Sequence, residues 1–189
     1  TGSIGALAVA PSNPDVLYVG SGEAQQRPDL SVGDGVYRTT DRGRTWTHLS
    51  GLRDTQQITA IVVHPTDSRR LYVAALGHPY GPNAERGVFR STDGGETFQR
   101  VLFVDENTGA ADVTMDPEQP DTLYASLWQA RQGPWENGDF RGAGTGLYKS
   151  TDGGTTWRPL TKGLPNWTDN GVGRIGVTVA PTLPSRLFA

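Results

Sequence analysis

Hydrophobic and polar positions alternate in short blocks along the chain and form no helical stripes. Apolar runs at 4–10, 58–63 and 175–180 are each followed by turn residues and then by another short run. No stretch keeps apolar residues at the 3.6-residue spacing of an amphipathic helix. Short runs bounded by Gly, Pro, Asn and Asp are typical of β-strands. The pattern therefore predicts an all-β chain.

The same succession of strands repeats along the sequence, and Asp41, Asp93 and Asp152 occupy equivalent positions in it. Each repeat has a small apolar strand, a second strand that starts with Leu-Tyr, a third that carries an aromatic residue, and a fourth after Thr-Trp or Thr-Phe. Repeated four-stranded units of about this length predict a β-propeller, with the sheets arranged radially. The continuous apolar first strands predict innermost strands that are buried on both faces.

The repeats also predict where the blades lie. We expect residues 1–189 to form a partial β-propeller, with four-stranded antiparallel blades at about 4–50, 58–102 and 110–160 and a partial blade at 173–189. Because about three and a half blades do not close a ring, the segment is expected to belong to a larger propeller. Its expected partners are further blades or another protein chain.

Composition and charge exclude several classes of function. The net charge is −3 and there is no block of Lys or Arg, so nothing indicates a nucleic-acid partner. The apolar runs are too short to cross a membrane. The absence of cysteine excludes disulfides and thiolate metal sites. The three histidines are scattered, so we expect neither a metal site nor a cofactor.

An acidic turn recurs three times, as STDGGETF at 91–98, STDGGTTW at 150–157 and TTDRGRTW at 39–46. An aspartate in a tight turn can accept backbone N–H groups of its own turn, and glycine can supply a positive φ. A calcium loop would need more oxygen ligands at alternating positions. We therefore predict a structural role. The residues concerned are Asp41, Gly43, Trp46, Asp93, Gly95, Phe98, Asp152, Gly154 and Trp157.

These three turns resemble the Asp-box, or BNR repeat, of sialidase-like and sortilin-like propellers. Over nearly the whole chain the closest resemblance is to bacterial sortilin-N-terminal-like (VPS10-type) BNR-repeat proteins, described as glycosyl hydrolase-like. Similar repeats occur in xyloglucanase-type glycoside hydrolases. The resemblance implies a propeller whose ligand face lies opposite the Asp-box turns, and a secreted, periplasmic or cell-surface location.

The variable parts of the repeats are the loops between second and third strands, at 22–35, 77–87 and 128–146. In a propeller these loops share one face with the connections between blades, and function is expected on loops that a rigid frame carries. Aromatic side chains beside carboxylates and arginines suit a sugar or a peptide. The alternative is that these residues brace neighbouring blades. The candidate ligand contacts are Trp128, Arg131, Trp135, Arg141, Tyr80, Arg86 and Glu23.

Two functions fit these observations. The favoured hypothesis is a non-catalytic propeller, either a scaffold or a binding module for a protein, peptide or glycan. The alternative is a fragment of a glycoside hydrolase, xyloglucanase-like or sialidase-like. Hydrolysis generally needs a pair of carboxylates; Asp105, Glu106 and Glu23 are candidates, but no spacing selects a pair. The Phe/Tyr-Arg-Ile-Pro element of sialidases is replaced by Gly-Arg-Ile-Gly at 173–176. The catalytic residues therefore stay unassigned.

Overall fold

The computed structural model describes residues 2–23, 25, 30–132, 138–165 and 172–189. A single turn of 3-10 helix lies at Ser50–Leu52, and in the described ranges no helix is long and apolar enough to cross a membrane. The strands are β1 (Ile4–Val9), β2 (Leu17–Ser21), β3 (Val36–Thr39), β4 (Thr47–His48), β5 (Ile58–Val63), β6 (Leu71–Ala75), β7 (Gly87–Ser91), β8 (Gln99–Leu102), β9 (Thr108–Met115), β10 (Leu123–Gln129), β11 (Gly146–Ser150), β12 (Arg158–Leu160), β13 (Thr178–Val179) and β14 (Leu187–Phe188).

The strands form successive antiparallel meanders. Strands β1–β4, β5–β8 and β9–β12 make three four-stranded sheets, and β13–β14 make a two-stranded sheet. We call these sheets 1 to 4. Neighbours in each sheet are neighbours in sequence, as expected when short turns join antiparallel strands. The predicted all-β class is confirmed.

Consecutive sheets pack face to face through their apolar side chains. Tyr18 and Val36 of sheet 1 share one buried cluster with Ile58 and Leu71 of sheet 2. A second cluster joins sheets 2 and 3, and a third joins sheets 3 and 4. Strands β1, β5 and β9 contact one another in turn, so the first strands are innermost. The close approach depends on Gly20, where an added Cβ would lie 2.2 Å from Ile58 Cγ2.

The first strand of sheet 1 is not buried on both faces. Ile4, Leu7 and Val9 are 56%, 63% and 49% exposed, whereas most of β9 is buried. In the part of the chain that the structure describes, sheet 1 packs against a neighbouring sheet through one face only, which leaves these side chains uncovered. The prediction of complete burial is therefore wrong for β1, and in β5 only Ile58 and Val63 are buried.

The strand ends define two opposite faces. One face carries the loops that follow the second and fourth strands of each sheet, and we call it the loop face. Backbone hydrogen bonds join these loops, from Asn83 N to Glu106 O (3.0 Å) and from Gln132 N to Pro79 O (2.9 Å). The turns that follow first and third strands form the turn face. The two turns of a sheet contact each other on this face; in sheet 3, for example, the Gly153 N–H donates to Asp121 O at 2.9 Å.

Candidate functional site

Each of the three acidic turns, at 39–46, 91–98 and 150–157, is closed by a local hydrogen-bond network on the turn face, and we call these turns boxes. The Ser91 hydroxyl accepts the Gly95 N–H at 2.8 Å and donates to the Asp93 carboxylate at 2.7 Å. That carboxylate also accepts the Thr97 N–H at 3.0 Å and the Thr97 hydroxyl at 2.5 Å. Gly95 has a φ of 89°, a conformation that glycine adopts without strain. The Asp93 carboxylate thus accepts its hydrogen bonds from within its own turn.

The other two boxes have the same network, with Asp41 and Asp152 in the place of Asp93. Gly43 and Gly154 have φ values of 86° and 82°. Hydrogen bonds from the following threonine hydroxyl and N–H hold the pKa of each of the three carboxyls at about 2. Among the described residues, no three or more acidic groups or histidines converge as a metal site. The structural role of these turns stays a prediction, with which this geometry agrees.

The aromatic residues of the boxes differ in their surroundings. Phe98 packs against the cluster between sheets 1 and 2, and Trp157 packs against the cluster between sheets 2 and 3. Trp46, in the first box, is 43% exposed. Both indole N–H groups donate to the glycine carbonyl of their own box at 3.1 Å, so the ring position is fixed in either setting.

Two of the proposed ligand contacts on the loop face are buried. Trp128 is 6% exposed, its indole N–H donates to Phe140 O at 2.7 Å, and the two rings stack with centroids 5.8 Å apart. Arg86 is fully buried and donates to His78 O at 3.2 Å. Desolvation lowers the pKa of the Arg86 guanidinium to about 10, against the opposing effect of Asp105. Neither side chain lies on the surface, and both brace their loops.

The other candidates are more accessible. Tyr80 is 38% exposed, and Arg131 and Arg141 are exposed as well. Glu23 is half-buried, and its carboxylate accepts a backbone N–H of its own loop, eight residues further on, at 3.0 Å. Trp135 lies outside the described residues. Ligand contact by any of these residues stays a prediction.

A polar cleft of about 300 Å³ opens on the loop face, lined by Asn107, Gln129, Ala130, Arg131 and Asp139. Arg131 and Asp139 exchange two backbone hydrogen bonds, of 2.8 and 2.9 Å, at the base of their loop. Directly opposed residues of an antiparallel pair project their side chains to the same side. Arg131 and Asp139 therefore line the cleft from one antiparallel pair.

The remaining walls of the cleft are also fixed. The Gln129 N–H donates to the Thr145 hydroxyl at 3.0 Å, and its side-chain oxygen accepts the Gly144 N–H at 3.1 Å. The Asn107 N–H donates to the Asp105 carboxylate at 2.8 Å. Asn107 itself is exposed. The cleft thus presents amide, guanidinium and carboxylate groups on a backbone that is held in place.

A larger cavity of about 590 Å³ lies between sheets 3 and 4, but its lining is largely apolar, with Leu147, Leu160 and Leu164 among the contacts. Such a lining suits sheet packing better than a hydroxyl-rich ligand. We therefore place the candidate site in the smaller polar cleft.

Sequence reasoning found Arg131 but missed Asn107, Gln129 and Asp139. Gln129 and Asp139 lie in the loop at 128–146 and Asn107 in the connection before β9, segments that the sequence predicted on one face; no repeated position singles out these three residues. Asp105 caps the turn that contains Asn107, and Glu23 caps its own loop.

Comparison with known proteins places this architecture in a family. Residues 34–179 match the Sortilin-Vps10 family, described as sortilin, neurotensin receptor 3. The chain belongs to this family. It is also 26% identical to a xyloglucanase from Paenibacillus sp, over 82% of this chain and 16% of that protein. It is 30% identical to a xyloglucanase from Hypocrea jecorina (strain QM6a), over 77% of this chain and 14% of that protein.

Among solved structures, the GH74 enzyme from Niastella koreensis superposes with a TM-score of 0.66 at 22% identity, over 96% of this chain and 24% of that one. This likeness confirms the predicted fold, a segment of a β-propeller. The chain spans only 16% and 14% of the two xyloglucanases. The relatives favour the glycoside hydrolase alternative, and they give no support to the non-catalytic scaffold that we preferred from the sequence.

Proposed function

We propose that this chain is part of a glycoside hydrolase-related propeller and that its loop face binds a polysaccharide chain. The observation that carries the proposal is the polar cleft between Asn107 and Asp139, in a chain whose relatives include xyloglucanases. The proposal replaces the non-catalytic scaffold as our preferred function and keeps the loop face as the site of binding.

The chemistry of the cleft suits sugar hydroxyl groups. A hydroxyl both donates and accepts hydrogen bonds, so a sugar site needs both kinds of partner. The Asp139 carboxylate accepts, the Arg131 guanidinium donates, and the amide of Asn107 does both. At about 300 Å³ the cleft has the size of a small ligand site, which suits one unit of a longer chain.

We assign sugar binding to this segment and leave hydrolysis to the whole protein. Glycoside hydrolysis generally uses two carboxylates on either side of the scissile bond. The Asp105 carboxylate accepts a backbone N–H at 2.8 Å and so serves its own turn. A polysaccharide is a substrate met outside the cytoplasm, which favours the secreted, periplasmic or cell-surface location expected from the sequence.

Titration calorimetry of the full chain with xyloglucan oligosaccharides tests the proposal. Asn107→Ala and Asp139→Ala should each weaken binding about tenfold, because each removes a hydrogen bond in a partly desolvated cleft. Glu118→Ala is the matched control, since this exposed glutamate lies on the turn face. Its affinity should equal that of the unmodified chain.

Two results would contradict the proposal. One is glycan binding that neither cleft substitution weakens, which would place the site elsewhere. The other is an absence of binding to xyloglucan, cellulose and mannan oligosaccharides together with binding of peptides, which would restore the non-catalytic peptide module.

A further inference from the structure

An arginine on the third strand of sheet 1 reaches across to the Asp-box of sheet 2. One terminal nitrogen of Arg38 donates to Gly94 O at 2.7 Å, and the other donates to the Glu96 carboxylate at 2.9 Å. Both acceptors belong to the second box, at 91–98, and not to the box of the arginine's own hairpin. Hydrogen bonds from a guanidinium are charge-assisted and stronger than neutral ones.

The contact recurs at the next junction in the same register. Arg90, the equivalent of Arg38, donates to Gly153 O of the third box at 2.8 Å and approaches the Thr155 hydroxyl at 3.4 Å. The buried Tyr72 hydroxyl donates to the same carbonyl at 2.8 Å. At both junctions the arginine therefore binds the carbonyl directly after the box aspartate and the side chain two residues beyond that carbonyl.

The first glycine of the second box, Gly94, fits this contact. A Cβ at Gly94 would lie 2.9 Å from the Arg38 guanidinium, and Gly94 has a φ of 79°. The equivalent position in the first box is Arg42, with a φ of 64°, whose side chain is bound to Asp15 of its own sheet at 2.5 Å. Among the described sheets, no arginine of another sheet reaches the first box. This is the box that has a side chain, and not glycine, at this position.

We propose that the Asp-box turn is a docking site for the arginine of the preceding blade, and that this contact sets how consecutive blades pack. We call the arginine–carbonyl contact the box latch. The aspartate network holds the turn, and therefore the accepting carbonyl, in one position. Each box in sheets 2 and 3 then has two roles: it closes its own hairpin and it positions the blade before it.

In sheet 3, Tyr124 and Lys149 occupy the positions that Tyr72 and Arg90 occupy in sheet 2. The Lys149 ammonium lies 5.1 Å from the centre of the Tyr124 ring. By equivalence with Arg38 and Arg90, this lysine is placed to bind the Asp-box turn of a further blade. Because sheet 4 has no box in the described chain, Lys149→Met should change stability much less than Arg90→Met.

Double-mutant cycles in the full chain test the box latch. Arg90→Met is combined with Asp152→Asn, in the box that Arg90 reaches, and separately with Asp93→Asn, in the box of its own hairpin. With Asp152→Asn present, the effect of Arg90→Met on the unfolding equilibrium constant should shrink at least about threefold, since residues in one network couple. With Asp93→Asn present, the effect should stay as in the unmodified chain.

Arg53→Met is the control for loss of a long charged side chain, because Arg53 is exposed on the loop face. Equal coupling of Arg90 to both boxes would overturn the proposal, as would an Arg90→Met effect no larger than that of Arg53→Met. Should Arg90→Met fail to fold, Arg90→Lys takes its place in the cycle, since lysine keeps the charge but not the planar fork. A Lys149→Met effect as large as that of Arg90→Met would overturn the assignment of Lys149.

Discussion

Replacing Asp93 by alanine tests whether the acidic turn is a scaffold. The carboxylate accepts hydrogen bonds from the Thr97 N–H at 3.0 Å, the Thr97 hydroxyl at 2.5 Å and the Ser91 hydroxyl at 2.7 Å. The turn is partly exposed, so water can replace some of these bonds. By analogy with the loss of a helix-capping side chain, we expect unfolding to become easier by about 1–2 kcal/mol.

Urea unfolding followed by tryptophan fluorescence and circular dichroism measures this change. Asp93→Asn should cost less than Asp93→Ala, because the amide keeps one acceptor oxygen for the Thr97 N–H. Glu118→Ala, an exposed substitution on the same face, should stay within about 0.5 kcal/mol of the unmodified chain.

The result that would refute the scaffold role is specific. Suppose Asp93→Ala leaves the urea midpoint unchanged and abolishes glycan binding in calorimetry. The carboxylate would then act on a ligand and not on its own hairpin, and the functional face would have to be assigned to the Asp-box turns.

Two further predictions concern the same turns. Arg42→Gly should raise the urea midpoint, because Arg42 has a φ of 64° that glycine adopts without strain and its ion pair with Asp15 is exposed. Stability should also fall as the pH drops from about 4 towards 2, and acid titration followed by circular dichroism should show this. Asp41, Asp93 and Asp152 have folded pKa values of about 2, below the ordinary 3.8. Their contribution to stability is therefore present above the unfolded pKa and is lost as the carboxylates are protonated.

The scaffold was predictable because its key contacts are local and repeated. Ser91, Asp93 and Gly95 are bonded within four residues, and Ser or Thr, Asp and Gly recur at the same spacing in the other boxes. The box latch was less visible. Arg90 occupies a repeated position, but its acceptor lies 63 residues away, and the sequence alone does not show whether a strand arginine points to solvent or to a neighbouring sheet.

The site was predicted only as a face, and long-loop packing explains why. A long loop must satisfy its own backbone groups, so some of its polar and aromatic side chains are used inside it. Arg86 and Trp128 looked like ligand contacts in the sequence, yet both bind loop carbonyls and are buried. The cleft instead uses Asn107 and Asp139, short polar residues that no repeat distinguishes.

The junction between sheets 2 and 3 connects the two faces of the molecule. On the turn face, Arg90 and Tyr72 both donate to Gly153 O, a charged and a neutral bond to one carbonyl. On the loop face, Gln132 N donates to Pro79 O beside the cleft, and Leu76 packs with Trp128 and Ala130 in a buried cluster. The contact on the turn face is thus built from residues that repeat from sheet to sheet, whereas the contacts on the loop face are particular to each pair of loops. Loops whose contacts do not repeat are free to differ in sequence, as the loops at 22–35, 77–87 and 128–146 do.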